Sequence, residues 1–149
     1  MSAAYASKNG RFIQLASYIS KWSCDPNGKV GAVILSKQEC IVALGYNAFP
    51  NGIAEDCRMH NKNLKNNMII HAEQNALICA GERAMDGTIY VYGKPICPRC
   101  AALLIQCGVK RVFAVMPDPT EYPKSDSHRD GLISIDMFRE AGLEFTPIP

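Results

Sequence analysis

No stretch of this sequence stays apolar long enough to cross a bilayer: runs such as residues 30–35 and 41–44 are broken by polar or charged residues far short of the roughly 20 required. No basic-then-apolar leader opens the chain, so the expectation is a cytoplasmic protein without a membrane partner. An excess of charge of one sign is missing too. Lys and Arg total 16 against 14 Asp and Glu, and a formal net charge of +2 gives little pull toward a polyanion. Because phosphate neutralisation supplies most non-specific affinity for nucleic acid, that balance argues against a nucleic-acid partner while leaving a small anionic substrate open. Internal repeats, low-complexity tracts and long charge runs are absent. So is an even set of cysteines: with seven, one is left over in any pairing. Without an export signal they read as thiols or metal ligands, not as a disulfide framework.

What is present fits one domain spanning residues 1–149, since 48% hydrophobic and 20% charged residues suffice for a buried core. Phe12, Leu15, Ala16, Ile19 and Trp22 recur at helical spacing, which predicts a helix over about 9–22 with that stripe inward. Val30, Ala32, Val33, Ile34 and Leu35 form an almost unbroken apolar run, the mark of a strand covered on both faces, and residues 41–46 supply its antiparallel partner. Residues 47–68, rich in Asn, Lys and Gly, read as a long functional loop with room for a short helical turn. A helix over 71–79, a strand over 88–92, a helix begun by Pro98 and ended near Gly108, and a strand over 111–115 follow. A loop over 116–130, a helix over 132–141 and a short strand over 143–146 complete the order. The fold class is α/β, a three-layer α-β-α sandwich around a mixed five-stranded sheet with a right-handed parallel crossover.

Four residues carry the chemistry. His71, Cys97 and Cys100 can fill three corners of a zinc tetrahedron and leave the fourth to water, while Glu73, two residues past the histidine, is placed to move protons without ligating the metal. Both ligand groups fall at expected helix starts. There the macrodipole disfavours an imidazolium at His71 and favours thiolates at Cys97 and Cys100. A lone Cys-x-x-Cys could be a redox pair or half of a structural site, and a lone His-x-Glu occurs by chance. Their combination is far more specific.

Together with Asp25-Pro26, Val30-Gly31-Ala32, Gly45-Tyr46-Asn47-Ala48-Phe49-Pro50, Tyr90-Val91 and Gly108-Val109-Lys110, the segments His71-Ala72-Glu73 and Cys97-Pro98-Arg99-Cys100 resemble the deoxycytidylate deaminases of the cytidine deaminase-like superfamily. The resemblance covers about residues 12–145. It implies that superfamily's fold, one catalytic Zn2+, and hydrolytic conversion of dCMP to dUMP with release of ammonia. By position it implies His71, Cys97 and Cys100 as ligands, Glu73 as proton shuttle, Asn47 as a contact to the sugar hydroxyl and the Ala72 backbone N–H as donor to the base carbonyl. Tyr122 would stack on the base, and a homo-oligomer is implied.

Departures accompany the match. Such proteins usually carry proline immediately before the first site cysteine, whereas Pro95 and Ile96 precede Cys97, one extra residue in the pocket rim. Regulated relatives respond to dCTP and dTTP, some through an arginine eleven residues after the histidine; here that position is Glu82, with Arg83 adjacent. Cys24, Cys57 and His60 fall where some phage-type relatives hold a second, structural zinc, but no fourth ligand accompanies them, and they are expected to be ordinary thiols and a loop histidine. Cys40, Cys79 and Cys107 are expected in the core, and His128 in a solvated loop. Lys29, Arg58, Lys62 and Arg129 are candidate phosphate contacts, none singled out. Two other functions compete: deamination of another cytosine or modified-cytosine nucleotide or nucleoside, and a non-catalytic zinc-stabilised binding domain, which an intact Glu73 disfavours.

Overall fold

Ser7 opens the first helix by accepting the Gly10 N–H on its hydroxyl at 3.0 Å, a cap that satisfies one of the helix's orphan donors in the computed structural model, which describes residues 7–118, 120 and 126–149. This helix, α1 (Lys8–Ser20), buries Ile13, Ala16 and Ile19. It stops sooner than expected. Lys21 N–H bonds back to Tyr18 and Trp22 N–H to Ile19, and this tightened last turn swings Trp22 off the apolar stripe. Trp22 is 53% exposed and sits edge-on to Tyr18 and Tyr46, which corrects its expected inward placement.

Strand β1 (Gly31–Leu35) is buried at every position because both of its faces are packed; it pairs antiparallel to β2 (Ile41–Tyr46) and to β3 (Thr88–Tyr92). Parallel pairing continues from β3 to β4 (Arg111–Val115) and from β4 to β5 (Glu144–Ile148), giving a sheet ordered β2-β1-β3-β4-β5. The mixed five-stranded sheet is therefore as expected. On one face, Val33, Leu35 and Tyr90 meet Ile13 and Ala16 of α1. The opposite face, with Ala32, Ile34, Ala43, Ile89 and Val112, is covered by α3 (Ala72–Ala80), α4 (Pro98–Gln106) and α5 (Asp126–Glu140) through Ala76, Leu104 and Phe138. Helix layers thus lie on both sides of the sheet.

One close approach sets the position of α3. A Cβ at Gly45 would collide with the Ala72 carbonyl oxygen and lie 2.6 Å from the Ala76 nitrogen, so only glycine lets β2 and the start of α3 come this near. The Asn75 amide then ties the helix to the strand end by donating to the Tyr46 carbonyl at 2.9 Å.

Elsewhere the structure departs from the sequence expectation. Residues 47–68 hold a 3-10 turn (Cys57–His60) and a short helix, α2 (Lys62–Met68), capped by Asn61. Helix α5 begins at Asp126, six residues before the expected start, because its first turns are buried through His128 and Gly131 and offer no apolar period. His128 is accordingly buried, not a solvated loop residue. Cys40 and Cys79 are exposed and Cys107 half-buried, correcting the expected core placement. Ala76 and Ala80 face inward on α3, which turns Cys79 outward, and Cys40 lies just before β2. Strand β5 runs two residues past the expected end and sets Pro147 opposite Ala114 at the edge of the sheet.

Candidate active site

Two helix starts converge to build the site. Ile70 is bridged to Ala48 through paired backbone hydrogen bonds, so the chain enters α3 from a fixed direction, and His71 in extended conformation precedes the first helical residue. The His71 N–H donates to Gln74 Oε1 at 2.8 Å, fastening that entry. Cys97 takes the same place before α4, Pro98 is the first helical residue, and Cys100 lies in the first turn, fully buried. The structure thereby brings the three expected ligands together. His71 Nδ1 stands 3.5 Å from Cys97 Sγ and 3.4 Å from Cys100 Sγ, and all three ligand atoms lie within 4.8 Å of one another. Typical bond lengths put nitrogen and sulfur about 3.6 Å apart along the edge of a zinc tetrahedron. The donor set and its spacing fit zinc, with His71 binding through Nδ1.

Electrostatics inside this triangle run against the simple dipole expectation for His71. A hydrogen bond to Cys97 raises the imidazole above its ordinary value; burial opposes the rise, and the charges of Glu73 and Cys97 add to it. The thiol of Cys100 donates to Cys97, and with His71 this draws Cys97 down to about 4; burial opposes the shift. The same hydrogen bond and burial push Cys100 up. Without metal, the proton therefore stays on Cys100 and the charge on Cys97. Glu73 is only 3% exposed, and burial raises its carboxyl above the usual range, partly offset by its own backbone N–H and by His71. Its carboxyl also hydrogen-bonds Cys100. A raised carboxyl beside three metal donors is suited to accept and return protons.

The family described as the cytidine and deoxycytidylate deaminase zinc-binding region matches residues 6–116. The chain belongs to this family. It is 39% identical over 140 residues to an uncharacterized deaminase in the luxG 3′ region of Aliivibrio fischeri, covering 93% of this chain and 92% of that protein. To the deoxycytidylate deaminase of Homo sapiens it is 33% identical over 141 residues, covering 90% and 75%. Its fold matches the dCMP deaminase of cyanophage S-TIM5, solved in complex with dCMP and dUMP, at a TM-score of 0.74 over 99% of each chain with 24% identity.

The remaining candidates of this deaminase-family chain distribute unevenly. Ala72 is fully buried as the first residue of α3, where a backbone N–H has no partner within the helix. Asn47, at the end of β2, is buried in a polar network: Oδ1 accepts the Val30 N–H at 2.8 Å, and Nδ2 donates to Gly28 O at 2.9 Å and Asp25 Oδ2 at 3.2 Å. Tyr122 lies outside the described residues. Cys24, Cys57 and His60 are exposed and, among the described residues, do not join a second metal cluster; Cys24 is instead held by Glu55, which raises its thiol. Arg58 is engaged by Asp56 and the Ala54 carbonyl, Arg129 pairs with Asp126, and Lys29 and Lys62 are exposed. Arg83 donates to the Ala80 and Cys79 carbonyls and so closes the C-terminal end of α3. The extra rim residue is absorbed by packing: Ile96 enters the core, and Pro95 rests on Gly131 of α5.

Two lysines escaped the sequence reading. Lys94 reaches across Gly28, where a Cβ would lie 2.5 Å from its Nζ, and its charge acts on His71. Lys65 of α2 is 3% exposed and pairs with Asp25 at 2.7 Å. No periodicity marks either one: Lys65 is buried against a partner forty residues away in the chain, and half-buried Lys94 comes near His71 only through the fold.

Proposed function

We propose that this chain, acting as one domain, hydrolyses dCMP to dUMP and ammonia with one zinc ion. The observation that carries the proposal is the His71 Nδ1, Cys97 and Cys100 triangle of zinc dimensions with the buried carboxyl of Glu73 against it. Zinc held there by His71, Cys97 and Cys100 would supply Lewis acidity to the reaction. The residues do the rest. Glu73 takes the proton of the attacking water, passes it to the ring nitrogen of cytosine, and carries a second proton to the amino group that leaves as ammonia. The Ala72 N–H donates to the base carbonyl and holds the ring, while Asn47 Oδ1 accepts from the sugar hydroxyl. Lys94 adds positive potential beside His71, which favours a nucleotide over an uncharged nucleoside.

Steady-state assays with dCMP, CMP, deoxycytidine and dAMP test the substrate, with dCMP expected to have the highest kcat/KM. Equal rates on deoxycytidine would overturn the monophosphate assignment and leave a deaminase of another cytosine compound, the class that the altered rim at Pro95 and Ile96 makes the nearest rival. Glu73→Gln separates catalysis from a zinc-stabilised binding role. The variant is expected to fold and load zinc while turnover drops by at least about a hundredfold. We further propose a cytoplasmic homo-oligomer; none of the described helices is long and apolar enough to cross a membrane. Adding dCTP or dTTP to the same assays tests whether either nucleotide acts as a regulator although Glu82 stands where some regulated relatives carry arginine.

A further inference from the structure

We infer that Lys65 is a positioning residue for sugar recognition: through Asp25 it locks the Asn47 amide so that the open lone pair of Oδ1, an acceptor, is what a substrate hydroxyl meets. The inference rests on the proposed contact between Asn47 and the sugar. An asparagine amide is nearly symmetric in shape, so its orientation is decided by what surrounds it. Here both Nδ2 hydrogens are used, one on the Gly28 carbonyl and one on Asp25 Oδ2, and Oδ1 accepts from Val30. A flipped amide would set oxygen against the Gly28 carbonyl and the Asp25 carboxylate, and NH2 against the Val30 N–H. Each of the three contacts would become repulsive.

Of the three contacts, the one that engages a side chain depends on Asp25 staying in place. Its side chain is buried, and a buried carboxylate needs a counter-ion. Lys65 supplies it, with Nζ 2.7 Å from Asp25 Oδ1 and 3.2 Å from Asn27 Oδ1, while the Asn27 N–H also donates to Asp25 Oδ1 at 2.8 Å. Ser23 completes the network by donating to the Asn47 carbonyl at 2.7 Å. Lys65 is the one buried residue of α2, so this helix docks by its ammonium and not by an apolar face. A buried ion pair adds little stability over an apolar pair of similar size, and a role in orienting a neighbour accounts for a lysine here.

The test compares kcat/KM for dCMP and for 2′,3′-dideoxycytidine 5′-monophosphate, which lacks the sugar hydroxyl, using zinc-loaded protein. Wild type is expected to prefer dCMP by about tenfold, the size of one well-aligned hydrogen bond. In Lys65→Met the preference should shrink to within about twofold. Because that variant strands the Asp25 charge, Asp25→Leu/Lys65→Met, which removes both charges, is made alongside and should lose the preference equally while keeping the fold. Folded variants that slow both substrates alike and retain the wild-type ratio would overturn the role of Lys65. A wild-type enzyme with no preference would instead overturn the Asn47 contact on which it rests.

Discussion

Glu73 carries a cost that its proposed role explains. Burial raises its carboxyl, so in metal-free protein the folded state keeps a proton that the unfolded chain releases at lower pH. The resulting stability is fully present below the ordinary carboxylate value of 4.5 and is lost as pH rises toward the higher folded-state value. With chelator present, the thermal midpoint of wild type should therefore fall more between about pH 5 and about pH 8 than that of Glu73→Gln, and the Gln variant should be the more stable at the upper end. Parallel melting curves across that range would show that the buried carboxyl does not bear this penalty. His71, Glu73, Cys97 and Cys100 were legible in the sequence because metal chemistry fixes residue types and local spacing, and helix starts put those types at one point. Lys65 and His128 were not, because burial of a polar side chain is decided by partners far away in the chain and leaves no local period.

Among the elements, β1, β3 and the start of α4 were legible from an unbroken apolar run, a β-branched and aromatic run, and a proline at a helix start. The ends of α1 and α5 were not. A tightened last turn moved Trp22 outward, and small or polar residues, Gly131 above all, do the packing at the start of α5. The contact between β2 and α3 is the element-level feature on which the metal triangle depends. Gly45→Ala would drive a methyl group into the backbone of Ala72 and Ala76, and backbone cannot rotate aside. The expected result is a loss of about 1–3 kcal/mol in chemical denaturation together with weaker zinc retention, because the displaced turn carries His71. Unchanged stability and unchanged zinc content would mean that β2 and α3 can separate without disturbing the site.

At the scale of the whole molecule, the outer side of α3 and α4 presents an apolar groove of about 420 Å³, lined by Ile70, Gln74, Leu77, Ile78, Leu103 and Cys107. Ile78 is 72% exposed at its rim. If the copies of the proposed homo-oligomer meet through this groove, Ile78→Glu should shift the sedimentation of the protein from oligomer to monomer, since a carboxylate would be buried without a partner. A wild-type protein that already sediments as a monomer would remove the proposed assembly.

Such an assembly is further constrained by Pro147. Proline has no amide hydrogen, so the free margin of β5 lacks a donor at the fourth of its five residues. A neighbouring copy laying a strand there would meet a gap in the ladder, which guards that flank against open-ended stacking. Continuity of sheet from one subunit to the next is disfavoured on that side, so a copy approaching β5 would have to pack against its side chains instead.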